Sequence, residues 1–313
     1  MAENIIRYGG QALMEGVMMQ GPEGKALAVR QPNGELTYKI VKFEKKRGSG
    51  FSALPGVRGC VNFAHAMVSG VEDLGWSANA SGEDDEQLTK KEMAMAIIMA
   101  LGLTVVFFIA LPVFLMSLIH PYVGDFGRSL CEGLLRAALF LGYVAAISRM
   151  DDIKRIFRYH GAEHMTINAY EDGAELTPES VRRYSRINVR CGTSFIFMTM
   201  IIMVILFTFI GQTVAWKRVL IKLILLPVVA GISYEVFRLP LKYPKNWLVK
   251  VLVWPGLMTQ KLTTATPDDS MLEAAIAALT NVPGFVPRYT PMKSDCPLEQ
   301  AAREMAVDME MGE

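Results

Sequence analysis

Two long runs without a charged residue constrain this chain more than any other feature. They extend over Met93–Ile119 and Cys191–Trp216. About 20 apolar residues in a helix cross the hydrocarbon core of a bilayer, so each run predicts a transmembrane helix. The composition agrees, because 51% of the residues are hydrophobic, 20% are charged and the mean hydropathy is +0.27. Such values favour a membrane protein that also has soluble parts.

Two further apolar segments contain charged residues near their ends. Leu130–Ser148 and Val219–Leu239 each include acidic and basic side chains. Charged side chains near the end of a span can reach the membrane interface, so neither segment is excluded as a span. We therefore predict an α-helical polytopic membrane protein with about four transmembrane helices and a small β-rich N-terminal cytoplasmic domain.

The distribution of lysine and arginine predicts the orientation of these spans. The loop 149–190 contains eight of these cations, whereas the loops His120–Ser129 and Gly211–Arg218 contain few. Basic loops stay in the cytoplasm, which places loop 149–190 there. With four spans, both termini are then cytoplasmic as well. The prediction is a multi-pass protein of the cell membrane.

The soluble segments show local signals of their own. Asn33-Gly34 between two β-rich runs is a strong hairpin signal, and Trp247–Gln260 is apolar but too short to cross a membrane. The predicted organisation has six parts. They are a β-rich cytoplasmic domain (1–53), an amphipathic helix with a charged linker (54–91), a first transmembrane hairpin (92–148), a cytoplasmic His/Glu helical loop (149–192), a second hairpin (193–240), and an interfacial segment with a C-terminal helix and tail (241–313).

The strongest chemical signal is a pair of histidines in the cytoplasmic loop. His160 and His164 are four residues apart in a predicted helix that begins near Asp151, so their imidazoles can share one zinc-like ion. Glu163 completes the pattern H-x-x-E-H, in which the glutamate acts as a general base toward water. The alternative is that both histidines are satisfied core residues paired with a nearby carboxylate.

A metal site would need at least one further ligand, and three residues are candidates. Glu171 lies about 10 Å along the helix from His164, so it is either a ligand or a partner for a histidine N–H. Cys191 precedes a predicted span at the cytoplasmic face, where it is a thiolate ligand or an inert buried thiol. Glu235 lies near the cytoplasmic end of the last span, as a ligand or as an ion-pair partner of an arginine such as Arg190.

Three segments of the chain resemble one known family. They are GGQALMEGVMMQGP at 9–22, YHGAEHMTINAYE at 159–171 and RCGTSF at 190–195. Together they are similar to the YqhQ-like family of bacterial membrane proteins, the domain of unknown function 1385. The resemblance implies a predicted metal-dependent enzyme and covers nearly the whole chain. Carried over by position, it implies as site residues His160, Glu163, His164, Glu171 and Cys191.

One position departs from the family pattern. The family usually has histidine where this chain has Asn188. Asparagine is a poor zinc ligand, so a site that needs a ligand at position 188 would be weakened here. A site built on His160 and His164 with Cys191 or Glu235 would not be affected.

Two functions from different classes fit these observations. The first is a metal-dependent enzyme of the hydrolase type, with a divalent ion such as zinc at the cytoplasmic face of the membrane. The second is a non-enzymatic scaffold, assembly factor or regulator that binds another membrane protein. Membrane lipid is an expected partner in both cases. The net charge of +1 gives no reason to expect nucleic acid, and the oligomeric state stays open.

Overall fold

A computed structural model shows a mostly helical chain with one small sheet. The predicted tail beyond residue 288, the middle of the charged linker at 83–88 and the short connections at 119–124 and 209–213 lie outside the described residues. The described residues are 6–43, 57–82, 89–118, 125–208, 214–243 and 245–288.

The N-terminal part is a four-stranded antiparallel sheet in the order β1-β2-β3-β4. Gly34, at φ +87°, lies in the turn that joins the last two strands, which confirms the predicted Asn-Gly hairpin. The left-handed conformation at this position suits glycine because it has no Cβ. The strands are β1 (Gly9–Leu13), β2 (Gly16–Gln20), β3 (Gly24–Arg30) and β4 (Leu36–Lys42).

Eleven α-helices follow among the described residues. A π-helical segment, Val106–Ala110, joins the second and third of them into one continuous helix. The helices are α1 (Val57–Ser81), α2 (Lys90–Val105), α3 (Leu111–Leu118), α4 (Asp125–Ile147), α5 (Asp151–Glu171), α6 (Pro178–Val181), α7 (Gly192–Thr208), α8 (Ala215–Phe237), α9 (Leu239–Lys242), α10 (Trp247–Thr263) and α11 (Asp269–Thr280).

Three helical stretches are long and apolar enough to cross a membrane. They are Lys91–Leu118, Leu130–Ile147 and Trp216–Phe237, and they match three of the predicted spans. The fourth predicted span, Cys191–Trp216, differs from the structure. Its helix, α7, has 17 described residues, and Trp216 belongs to the next helix. Within the part of the chain that the structure describes, three helices are long enough to cross and α7 is a shorter apolar helix.

The sheet packs between helices on both faces because its side chains alternate. Val17, Met19, Ala26 and Ala28 lie in one buried cluster with residues of α5 and α11. The intervening positions form a second cluster against Trp76 of α1; its buried members are Leu13, Met18, Leu27 and Val29. This alternation is the period of two that a strand imposes on its side chains.

Helix α5 is buried in its second half, from Tyr159 to Glu171, against the sheet and α11. Its start agrees with the predicted start near Asp151, and Gly173 at φ +74° follows its end. The residue before the helix is Met150, so Asp151 lies in the first turn rather than at the cap. There its charge still favours the positive end of the helix. A buried helix of polar composition needs specific partners for its side chains.

Candidate metal centre

Both histidines of α5 are held by backbone carbonyls. His160 Nδ1 lies 2.8 Å from the Thr263 carbonyl oxygen, and His164 Nδ1 lies 2.5 Å from that of Arg186. A carbonyl oxygen accepts hydrogen bonds and cannot donate, so each Nδ1 is the protonated nitrogen. Each Nε2 is then the nitrogen that can bind a metal once it carries no proton. Histidines that bind metals in proteins are usually oriented by such a hydrogen bond from their other nitrogen.

Cys191 joins these two histidines from a separate part of the chain. Its Sγ lies 3.1 Å from His160 Nε2, and one ligand atom from each of His160, His164 and Cys191 lies within 4.8 Å of the others. Cys191 directly precedes α7, so it lies at the positive end of a helix. That position favours a thiolate over a thiol.

The cysteine and histidine stabilise each other's charged forms. Burial lowers the pKa of His160, but the charge and hydrogen bond of Cys191 outweigh this and raise it to about 9. Burial raises the pKa of the Cys191 thiol, but the charges and hydrogen bonds of His160 and His164 bring it well below its ordinary value. Each group therefore favours the charged form of the other, imidazolium and thiolate, and the thiolate is the form that binds metals.

Glu163 lies beside this group and beneath the first strand. Its exposed fraction is 6%, and a Cβ placed on Gly10 of β1 would lie 2.6 Å from its Cγ. The backbone of β1 therefore approaches Glu163 closely at Gly10. Burial raises the pKa of Glu163, while the charges of His164 and His160 act in the opposite direction. A carboxyl with a raised pKa is suited to accept and return a proton near neutral pH.

Gln260 of α10 holds the segment that presents Cys191. Its side chain is fully buried. Its Oε1 accepts the Asn188 N–H at 2.9 Å, and its Nε2 donates to the Asn188 carbonyl at 2.7 Å and to the Ser194 hydroxyl at 2.8 Å. One amide thereby fixes positions on both sides of the cysteine. The sequence reasoning missed this residue, although an amide in an otherwise apolar segment was a usable signal.

Asn188 supports the same segment and does not belong to the donor group. Its Nδ2 donates to Asn168 Oδ1 at 3.0 Å, and its Oδ1 accepts the Arg190 N–H at 2.9 Å. The three donors therefore come together without a side-chain ligand from position 188.

The two remaining candidate ligands lie elsewhere. Among the described residues, the group of close donors includes neither Glu171 nor Glu235. Glu171 forms an ion pair with Arg190. Glu235 accepts from Arg58 of α1, whose Nε is 2.7 Å from Oε1, so its arginine partner differs from the Arg190 considered in the sequence. Each of these two carboxylates is thus paired with an arginine. Of the three candidate ligands, Cys191 is the one that lies beside the histidines.

We expect the Gln260→Ala substitution to lower zinc affinity about 10- to 100-fold, the usual effect of removing a residue that orients a ligand. Ser194→Ala removes one of the three contacts and should have a smaller effect. Competition with a chromophoric chelator measures both. Equal affinities for wild type and Gln260→Ala would show that the segment is held without this amide.

Comparisons with known proteins agree with the motifs. A family model described as "Protein of unknown function (DUF1385)" matches residues 54–284. The chain is 34% identical over 291 residues to a Bacillus subtilis (strain 168) protein named "Uncharacterized protein YqhQ", with 88% of this chain and 92% of the relative covered. No solved structure matches the chain. The matched family segment includes α5, Cys191 and Gln260, and on these two matches the chain belongs to the DUF1385 family.

Proposed function

We propose that this protein is a metal-dependent hydrolase of the bacterial membrane, with zinc held by His160, His164 and Cys191. The observation that supports this most is the hydrogen bonding of the two histidines. Both Nδ1 atoms are bonded to backbone carbonyls, so each Nε2 is the nitrogen that can bind an ion, together with the thiolate, once it carries no proton.

The donor set fits zinc in number and in kind. Two imidazole nitrogens and one thiolate are ligands that zinc prefers, and three protein ligands with an open fourth position are typical of catalytic sites. Ligands about 2.0–2.3 Å from one ion lie about 3.3–3.8 Å apart in tetrahedral geometry. The 3.1 Å between His160 Nε2 and Cys191 Sγ is close to that range.

Glu163 is the general base in this proposal. When bound, the ion would act as a Lewis acid that polarises an oxygen atom of the substrate. Glu163 would take a proton from the attacking water and deliver it to the leaving group. The strand at Gly10 limits the access of bulk solvent to the carboxylate, which supports the raised pKa that this role needs.

The proposed location is the inner face of the membrane. The histidine helix follows α4, and Cys191 directly precedes α7, at the ends that the basic loop 149–190 connects. The positive-inside rule places this loop, and with it the site, in the cytoplasm. We propose a multi-pass protein whose termini are both cytoplasmic.

Incorporation of labelled oxygen tests the hydrolase even where its substrate is unidentified. Zinc-loaded protein incubated with a total membrane extract in H₂¹⁸O should produce ¹⁸O-labelled products that mass spectrometry detects. Glu163→Gln should keep its zinc and lose these products. Zinc-loaded wild type that yields the same spectrum as Glu163→Gln would contradict hydrolysis of any component of that extract.

Zinc binding should release one proton from His160. Because the pKa of His160 is about 9 and a ligand imidazole must be neutral, zinc competes with this proton below that pH. The charges and hydrogen bonds of the two histidines lower the pKa of the Cys191 thiol. Apparent affinity should therefore rise by up to about tenfold per pH unit between pH 7 and 9. Calorimetry in buffers of different ionisation enthalpy measures how many protons are released on zinc binding. An affinity that does not change with pH would contradict the assignment of His160 as a ligand.

The short His160–Cys191 contact also favours a second candidate, a hydrolase in which the Cys191 thiolate is the nucleophile. Pairing of a thiolate with imidazolium activates cysteine in this way. Treatment with a chelator distinguishes the two mechanisms, because it would abolish the activity of a zinc hydrolase and leave a cysteine hydrolase active. Alkylation by iodoacetamide should be blocked by zinc in the first case.

A further inference from the structure

The start of α1 is fastened to a helix that is long and apolar enough to cross a membrane. That helix is α8, with the apolar stretch Trp216–Phe237. Asn62 Nδ2 donates to the Tyr234 hydroxyl at 2.9 Å, and the Cys60 thiol donates to the Pro227 carbonyl at 2.8 Å. Because Pro227 lies well inside the apolar stretch, the first turns of α1 lie beside it and not beyond its end.

The second half of α1 is held by the sheet instead. Gln11 of β1 donates to the Gly70 carbonyl at 3.2 Å, and Lys25 of β3 donates to the Ser69 hydroxyl at 2.6 Å. Lys25 also forms a buried ion pair with Asp73. Helix α1 therefore passes from a helix of membrane type to the sheet, and its middle connects the two.

The middle of α1, residues 63–68, is an exposed apolar bridge segment. All six of its residues are exposed, and the exposed fractions of Phe63, Met67 and Val68 are 38–62%. Its one polar residue is His65, and the longer run 59–71 contains no Asp, Glu, Lys or Arg. A contiguous exposed apolar surface of this kind marks a contact with a membrane or with another protein.

The bridge segment begins level with the ends of two apolar helices. The Phe63 ring lies 5.7 Å from that of Phe195 in α7, and the Phe195 ring lies 5.6 Å from that of Phe237 at the end of α8. Phe195 is also one turn from Cys191, since its N–H donates to the Cys191 carbonyl. The bridge segment therefore lies at the end of the helix bundle that carries the metal centre, and it continues from there toward the sheet.

Helix α8 has a stripe of exposed apolar side chains beside its contact with α1. These residues are four apart, so they lie along one side of the helix, and their exposed fractions are 39–66%. They are Leu220, Ile224, Val228 and Ile232. Val228 directly follows Pro227, which the Cys60 thiol contacts. The exposed apolar surface of α8 is thus continuous with that of α1.

We propose that the bridge segment of α1 lies in the interfacial region of the inner leaflet, where its side chains contact lipid. The inference rests on the proposed location of the protein in the membrane. Apolar side chains at the boundary of headgroups and acyl chains are stabilised by burial in lipid, and His65 extends its polar tip toward the headgroups. The continuity with α8 favours the bilayer over a protein partner, because lipid already covers the exposed side of a membrane-crossing helix.

The accessibility of nitroxide labels in the full chain, reconstituted in lipid nanodiscs, tests this placement. Labels attached through p-acetylphenylalanine leave the native cysteines in place. Met67 reports on the bridge segment, and Ile224 of α8 is the lipid reference. Ile40 of β4 is the aqueous reference, since it is 52% exposed and pairs with Ala26 on the sheet face opposite α1.

Oxygen dissolves in lipid, whereas a nickel chelate stays in water. We therefore expect the ratio of oxygen to nickel-chelate accessibility at Met67 to be severalfold higher than at Ile40 and close to that at Ile224. A ratio at Met67 equal to that at Ile40, with a high ratio at Ile224, would overturn the placement of α1 and leave the membrane location intact. Low ratios at both Met67 and Ile224 would overturn the membrane location together with this inference. A label at Met67 shielded from both reagents would show a protein partner in place of lipid and would also overturn the proposal.

Discussion

The His164→Ala substitution is expected to abolish stoichiometric zinc binding. His164 is 1% exposed and supplies one of three donors, and its Nδ1 is already fixed by the Arg186 carbonyl. If the binding free energy of an ordinary zinc site is divided equally among its ligands, each ligand contributes about 3 kcal/mol. Loss of one ligand then lowers the affinity more than about 100-fold. Elemental analysis of the dialysed, detergent-purified protein measures the loss. Cys191→Ser, which keeps the size of the side chain, should behave in the same way.

His65 provides the matched control for this loss. It lies exposed on α1 and outside the donor group, so His65→Ala should keep wild-type zinc. If both histidine variants retained one zinc per chain, the ion would have to be bound by other residues. If both lost it, the loss would reflect general damage to the protein.

Gly161→Ala is expected to have the largest effect on stability. Gly161 lies between the two histidines, and a Cβ there would overlap the backbone carbonyl of Ala265. The backbone N–H of Ala265 donates to the Phe157 carbonyl at 2.9 Å, so neither backbone can move without loss of this bond. Overpacking of this kind costs about 1–3 kcal/mol, and we expect a fall of about 5–10 °C in melting temperature.

The same substitution should also weaken zinc binding. Displacement of the segment at Ala265 moves Thr263, whose carbonyl orients His160. Gly142→Ala is the control, since a Cβ at Gly142 in α4 would meet nothing within 4 Å. Alanine there should stabilise the helix by about 0.5–1 kcal/mol. Similar melting temperatures for the two variants would show that α5 does not pack as closely as described.

Local patterns were sufficient to predict α5 and its two histidines. The helix start near Asp151 and the approach of His160 to His164 depend on neighbouring residues, and both agree with the structure. The hairpin at Gly34 was predictable for the same reason. In contrast, Thr266 followed by Pro267 predicts a helix start at Thr266, but Asp268 caps α11, since its side chain accepts the Met271 N–H.

The third donor could not be selected from the sequence. The predicted topology places Glu171, Cys191 and Glu235 near the same membrane face, and the choice among them depends on tertiary contacts. Arg190 forms an ion pair with Glu171, and Arg58 forms one with Glu235. Gln260, which fixes the loop around Cys191, comes from a helix far along the chain.

Zinc K-edge X-ray absorption of the zinc-loaded wild-type protein tests the central claim most directly. The three donors predict a first shell with one sulfur at about 2.3 Å and two imidazole nitrogens at about 2.0–2.1 Å, completed by a light atom. Cys191→Ser should lack the sulfur contribution. A wild-type spectrum fitted by nitrogen and oxygen alone, or wild-type protein that binds no zinc, would contradict the metal centre.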